Sequence, residues 1–454
     1  MDFASVNPAT GRRLRAHRPH SKSDIEAALK RAHSGFLGWR GLSFADRGRR
    51  LRAVASRLRE QASALAELAT AEMGKPIGQG KAEVEKSALA CEYFARHARA
   101  FLADDHPEGA PAGASVVFEP LGPVLAIMPW NFPFWQVFRT AAPVLMAGNS
   151  MVLKHAENVS GCALAVAELF ADAGLPAGVF QTLLAPRNRI PSIIADPRIR
   201  AVTLTGSVAA GRSVAAQAGA AMKKGVFELG GSDAYLILGD ADIGRAAEVC
   251  AQSRLINSGQ SCVCAKRFIV VRSAQHEFEA RFVARMAARR VGDPLDPTMD
   301  VGPLARADLR DALHRQVRAS VRKGARLLLG GGPLPGPGFF YAPTVLADVA
   351  PGMPAYHEEL FGPVASLIAV RDEDEAVAVA NDTAFGLGAA VFSRSRRRAR
   401  RVAARIEAGL VFVNDFVRSD PTLPFGGVKD SGYGRELGPY GIREFVNLKT
   451  LWVS

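Results

Sequence analysis

No stretch of this 454-residue chain approaches the ~18 uninterrupted apolar residues that a membrane span needs. Its most apolar region, 123–152, is broken by Pro129, Asn131, Pro133, Gln136 and Arg139. The N-terminus reads Met-Asp-Phe-Ala-Ser-Val-Asn-Pro, without the apolar segment of a secretory signal, so a cytoplasmic location is expected. Cysteine is scarce. The five residues Cys91, Cys162, Cys250, Cys262 and Cys264 are an odd set and read as reduced thiols, not a disulfide framework. Nine histidines form no cluster beyond His17 and His20 in an arginine-rich segment, so no metal site is expected. Lysine is also sparse: 12 of 57 basic residues, the rest arginine, against 44 acids, for a net charge of +13. The densest basic run, Arg394–Arg401, lacks the stacking aromatics of a nucleic-acid site. It reads as the solvated face of an amphipathic helix feeding a buried strand, and no nucleic-acid or membrane partner is expected.

What the chain does have is apolar content, 48%, and a length that suits two or three domains. From Ser21 to about Met73 apolar residues recur at helical spacing, with Ser23 or Asp24 as the expected first cap; another helix runs from about Gln79 to Leu102. Beyond Ser115, short β-rich runs alternate with helices of ~10–15 residues, the pattern of βαβ crossovers and a mostly parallel sheet. The same theme restarts after Ser232. The glycine- and proline-rich 330–338 reads as a surface hairpin, not a nucleotide loop.

Chemistry concentrates in four places. Asn257-Ser-Gly-Gln-Ser-Cys262-Val-Cys264 sets a cysteine among small residues where backbone amides could stabilise a thiolate, the reactive form. No histidine has a motif that nominates it as the partner base; Glu228 in Phe-Glu-Leu-Gly-Gly, at a strand end, is the better candidate. Asn131, in Pro-Trp-Asn-Phe-Pro, is a candidate oxyanion donor. Gly206-Ser207 follows a strand and opens a helix, which presents free N–H groups to a phosphate.

Together with Asn7-Pro-Ala-Thr-Gly11, LKHAEN (153–158), EELFGPV (358–364) and LPFGGVKDSGYGRELG (423–438), these segments resemble the aldehyde dehydrogenase superfamily nearly end to end, and within it the succinate-semialdehyde dehydrogenase branch. The resemblance implies two doubly wound α/β domains, a Rossmann-like cofactor domain from 1–101 and 119–229 and a catalytic domain from 230–430. It adds a β-hairpin oligomerisation element from 102–118 and 440–454, and a homodimer or homotetramer. It makes Cys262 the nucleophile, Glu228 the base and Asn131, with the Cys262 N–H, the oxyanion donor. Trp130, Lys154, Glu157, Gly206, Ser207, Leu229, Glu359 and Phe361 become cofactor contacts. An aldehyde would pass through a Cys262 thiohemiacetal and, after hydride loss to NAD(P)+, a thioester.

Glu157, three residues after Lys154, falls by the adenosine ribose in the family. There a carboxylate accepts from the ribose hydroxyls and repels a 2′-phosphate, so NAD is expected over NADP. NADP-preferring relatives in this branch tend to carry a small residue. Arg139, eight residues after Asn131, is the expected clamp for a substrate carboxylate. By the same resemblance, Arg418 and Ser419 fall in the loop that lines the substrate mouth in relatives. A second arginine that some members carry is replaced by Ile256. Succinate semialdehyde therefore leads, ahead of glutarate semialdehyde and small neutral aldehydes; outside the class, a cysteine-dependent hydrolase or acyltransferase is the rival. Cys264 is either a redox partner of Cys262 or a small packing residue.

Overall fold

The computed structural model describes residues 3–453. Its first helix, Lys22–Trp39, is capped at Ser21: the Ser21 side chain accepts the Asp24 N–H while Asp24 returns a bond to the Ser21 backbone. The cap thus precedes the expected Ser23 or Asp24, because Asp24 serves as the reciprocal acid. Helices Phe44–Glu60, Ala62–Met73 and Ile77–Phe101 follow.

Five parallel strands then form a sheet in the spatial order Lys224–Glu228, Ala201–Thr205, Val124–Met128, Met151–His155, Phe180–Thr182. Alternate residues of one strand serve opposite cores. Val124, Ala126 and Met128 join Trp39, Phe94, Phe138 and Phe170 on one face, and Leu125 joins Leu29, Ile193, Val202 and Phe227 on the other. Both faces are covered, which is why Val124–Met128 reads as an unbroken apolar run. From Val124–Met128 the chain steps outward to Met151–His155 and Phe180–Thr182, then crosses back to Ala201–Thr205 on the opposite flank. The strand order therefore reverses between Met128 and Thr205, and ligands of open α/β sheets sit at such a point.

The chain leaves this sheet at Glu228 and enters a seven-stranded one at Asp233. Its order is Arg326–Leu329, Thr344–Ala347, Val364–Val370, Ala265–Val271, Asp233–Ile237, Gly388–Phe392, Leu410–Val413, with the first strand antiparallel. Leu410–Val413 was expected to be buried; it lies at the sheet edge and is only half-buried. Late in the chain Gly432–Tyr433 returns to pair antiparallel with Phe227–Glu228. A separate ribbon pairs Ala114–Pro120 with Val446–Trp452, and within the expected 102–118 element an antiparallel bridge joins Asp105 to Val116. All five cysteines are free.

Candidate active site

Cys262 follows a turn that folds against its own preferences. Asn257 and Ser258 hold φ of 53° and 57°, and Gly259 follows at 77°, three left-handed residues in a row. Such a segment persists only when its surroundings over-determine it. Asn257 donates from its backbone to Gln79 Oε1 (2.7 Å) and from its side chain to the Asn131 carbonyl (2.7 Å) and the Gln260 carbonyl (3.0 Å). Ser258 Oγ accepts from Gly302, Gln260 Oε1 accepts from Ala305, and Arg254 donates to the Gly259 carbonyl at 2.6 Å. Past the turn, the buried Lys266 ammonium gathers the carbonyls of Ser261 (3.0 Å) and Cys262 (2.8 Å) and ion-pairs with Glu359 at 3.4 Å.

The side chain of Asn131 meets this loop. Its Nδ2 donates to the Gln260 carbonyl at 3.1 Å and its Oδ1 accepts from Gln136 at 3.1 Å. One amide hydrogen is thereby used and one remains. The Cys262 backbone N–H has no protein acceptor among the described residues. Glu228 is buried at the last position of its strand, with neither carboxylate oxygen hydrogen-bonded. The two glycines after it admit neighbours: a Cβ at Gly231 would stand 2.7 Å from the Cys262 carbonyl, and one at Gly230 would stand 2.6 Å from Glu359 Oε2.

Electrostatics set the resting protonation. Burial pushes the Cys262 thiol up to about 12, against the pull of Arg139 and Lys266. Burial thus favours the neutral thiol at rest, and the loop turns carbonyls toward two buried cations, Arg254 and Lys266. Burial, and then the neighbouring Glu436, hold Glu228 well above the usual carboxylate range.

The reversal point of the first sheet lies alongside. Gly206 donates its N–H to the Glu228 carbonyl at 2.9 Å, and Ser207 caps helix Val208–Ala220 by accepting from Ala210. Leu229 seats on Gly211, where an added Cβ would come within 2.4 Å of its Cδ2. Trp130 stands edge-on to Phe361, centroids 5.7 Å apart. Lys154 is buried at a strand end with its pKa lowered by desolvation, and Glu157 begins the next turn, 3.9 Å from Arg187. Helix N-terminal amides, a desolvated ammonium and paired aromatic rings at a strand-order reversal suit a dinucleotide.

On the other side of Cys262 a cavity of about 540 Å³ opens between Phe132, Trp135, Phe416 and Phe425.

Residues 1–451 match the model of the aldehyde dehydrogenase family. The chain belongs to the aldehyde dehydrogenase family. It is 48% identical over 448 residues (99% of this chain, 97% of the other) to the succinate semialdehyde dehydrogenase Sad of Escherichia coli (strain K12), named for NAD(P)+. It is 48% identical over 457 residues, all of both chains, to the succinate-semialdehyde dehydrogenase 1 of Mycobacterium tuberculosis (strain ATCC 25618 / H37Rv), named for NADP+. Among solved structures, the succinic semialdehyde dehydrogenase of Streptococcus pyogenes in complex with NADP+ superposes with a TM-score of 0.97 at 37% identity, covering 99% of each chain.

Within this aldehyde dehydrogenase, Asn131, Glu228 and Glu359 stand near the Cys262 loop, Leu229 follows Glu228, and Arg418 and Ser419 line the cavity. Arg139 lines it too, but its Nε ion-pairs with Glu436 at 2.5 Å and its Nη2 donates to Thr205 at 3.0 Å, so a substrate carboxylate has to compete with Glu436 for the expected clamp. Cys264 is buried, its thiol directed to the Ile256 carbonyl at 3.4 Å. Sequence reading missed Lys266, Glu83, Gln260 and Asn257. The last two stand inside the cysteine motif and were legible; Lys266 and Glu83 carry no local signal, since their partners come from distant segments.

Proposed function

We propose that this aldehyde dehydrogenase oxidises succinate semialdehyde to succinate with NAD(P)+, preferring NAD, and works as a homo-oligomer. The observation that carries the reading is the position of Cys262, between the strand-order reversal that suits a dinucleotide and an aromatic-walled cavity edged with cations. The names of the similar enzymes support the substrate; those names favour NADP or both cofactors, and the NAD preference stands on Glu157.

Cys262 releases its thiol proton to solvent and attacks the aldehyde carbon as the thiolate. The resulting oxyanion is met by the spare Asn131 N–H and the unpartnered Cys262 N–H; one such donor is typically worth ~2.7–4 kcal/mol of barrier. A nicotinamide dinucleotide, when bound, supplies the hydride acceptor that makes a thioester of the thiohemiacetal. Trp130, Lys154, Gly206, Ser207, Leu229, Glu359 and Phe361 would hold it. Glu228, its basicity raised by burial, then takes a proton from water as that water attacks the thioester.

The test follows reduced-nicotinamide absorbance with succinate semialdehyde, glutarate semialdehyde and butanal, each with both cofactors. The highest kcat/KM is expected for succinate semialdehyde with NAD. A higher value with NADP would remove the Glu157 argument, and absence of turnover with every aldehyde would remove the reading.

A further inference from the structure

Four cations line the cavity beside Cys262: Lys86, Arg139, Arg289 and Arg418. Three are already engaged, Arg139 by Glu436 (2.5 Å), Arg289 by Glu248 (2.9 Å) and Arg418 by Asp415 (2.8 Å). The two acids in the wall are engaged as well: Glu83 pairs with Lys75 at 2.6 Å, and Asp300 lies 3.8 Å from Arg289. Lys86 forms no ion pair among the described residues. Its Nζ donates to Ser419 Oγ at 2.8 Å and stands 4.4 Å from the centroid of the Trp135 ring. Ser419 Oγ also accepts the Trp135 indole N–H at 3.0 Å. An ammonium has three N–H groups and one is used here; a hydroxyl that accepts twice still holds its own proton.

We propose that Lys86, with Ser419, selects the aldehyde by binding a carboxylate at the end of the substrate remote from the reacting carbon. The proposal deepens the reading of this cavity as the aldehyde site and rests on it. The half-buried ammonium, lacking a protein carboxylate, gains a charge-assisted pair from such a substrate and nothing from a neutral one. Phe132, Trp135, Phe416 and Phe425 offer apolar contact to the intervening methylenes. Burial, and secondarily Arg139, lower the Lys86 pKa to about 8, which still leaves the cation in the majority at neutral pH.

The test compares the purified full-length enzyme with Lys86→Met and Lys86→Arg. It measures kcat/KM for succinate semialdehyde and for butanal, and inhibition of butanal oxidation by succinate. In Lys86→Met the ratio of the two kcat/KM values is expected to fall roughly ten- to a hundredfold, with the succinate inhibition constant rising in parallel. Lys86→Arg is expected to regain part of both. Butanal turnover in the same preparation reports a folded site. A ratio and an inhibition constant that both move by less than about threefold overturn the role of Lys86. A wild-type enzyme that does not prefer succinate semialdehyde to butanal overturns the substrate reading instead, and succinate inhibition then still decides Lys86.

Discussion

Three side chains set the chemistry and its dependence on pH. Cys262 and Glu228 must each lose a proton to act, and both are held above their ordinary values by burial. Raised values mean that the active forms gain population as pH rises, so kcat/KM for butanal is expected to climb from pH ~6 to pH ~9.5. Lys86 adds an opposing limb for a carboxylate substrate. Burial leads its downward shift, Arg139 and Arg418 add to it, and Asp420 and Glu83 oppose it, for a pKa of about 8. The succinate semialdehyde profile should therefore flatten above pH ~8 while the butanal profile continues upward. Parallel profiles would separate Lys86 from carboxylate binding. Of the proposed chemical steps, Cys262→Ala should abolish oxidation, whereas Glu228→Ala should leave a burst of reduced cofactor followed by slow turnover; a normal steady-state rate would remove Glu228 from the scheme. For cofactor choice, Glu157→Ser should raise the NADP-to-NAD ratio of kcat/KM. A unit charge ~4 Å from a 2′-phosphate is worth up to about 4 kcal/mol at an effective dielectric of 20, an upper bound for a half-exposed group. Unchanged cofactor ratios would mean that Glu157 faces solvent or Arg187.

At the scale of single elements, residues whose partners are close in sequence were the legible ones. The position of Cys262 in a small-residue loop and the helix start at Gly206-Ser207 could be read because both are marked by glycine and its small neighbours, whereas the left-handed Asn257 and Ser258 are held by distant partners. Glu83 could not. It sits on helix Ile77–Phe101 yet accepts the backbone N–H groups of Phe134 (2.8 Å) and Trp135 (2.9 Å), at the start of helix Trp135–Met146 and beside the Asn131 segment. It also pairs with Lys75, itself buried and 3.7 Å from the centroid of the Phe132 ring. Nothing local to Glu83 announces contacts about fifty residues away. Glu83→Gln keeps Oε1 as the acceptor for both N–H groups and replaces the Oε2 that faces Lys75 by an amide nitrogen, so it breaks the ion pair while sparing the contacts to Phe134 and Trp135. Breaking a buried pair typically costs about 3–5 kcal/mol, and urea unfolding at neutral pH should show a loss of that order. Burial already lowers the folded-state pKa of Lys75, so the folded variant binds fewer protons than the unfolded chain there. Its stability should rise with pH toward the unfolded lysine value near 10.4, narrowing the gap to wild type. A gap independent of pH would place the cost in packing instead of charge.

For the molecule as a whole, alternation of apolar runs with helices made mostly parallel α/β sheets legible, because parallel strands buried on both faces are largely apolar, and the family resemblance added their doubly wound form. The return of Gly432–Tyr433 to the first sheet was hidden, since a two-residue antiparallel pair leaves no periodicity to read. The ribbon of Ala114–Pro120 and Val446–Trp452 raises a question of stability that the single chain does not answer. Two strands alone are marginal in water. This pair also exposes Leu448 (57%) and Trp452 (62%) on one face, with Leu451 (45%) on the other and Val453 (66%) just past the strand. Exposed apolar side chains on an edge ribbon are a usual mark of a protein contact, and the proposed homo-oligomer would cover the face of Leu448 and Trp452. A stable interface buries roughly 1,200–2,000 Å², so a few charges at its centre should prevent association. If the proposed homo-oligomer forms through this face, Leu448→Asp with Trp452→Glu is expected to give a monomer in light scattering coupled to size exclusion. Cys262 and its neighbours lie on other elements, so the dissociated chain should keep its far-ultraviolet dichroism. A double variant that elutes with the wild-type mass would show that the ribbon face is not where the copies meet.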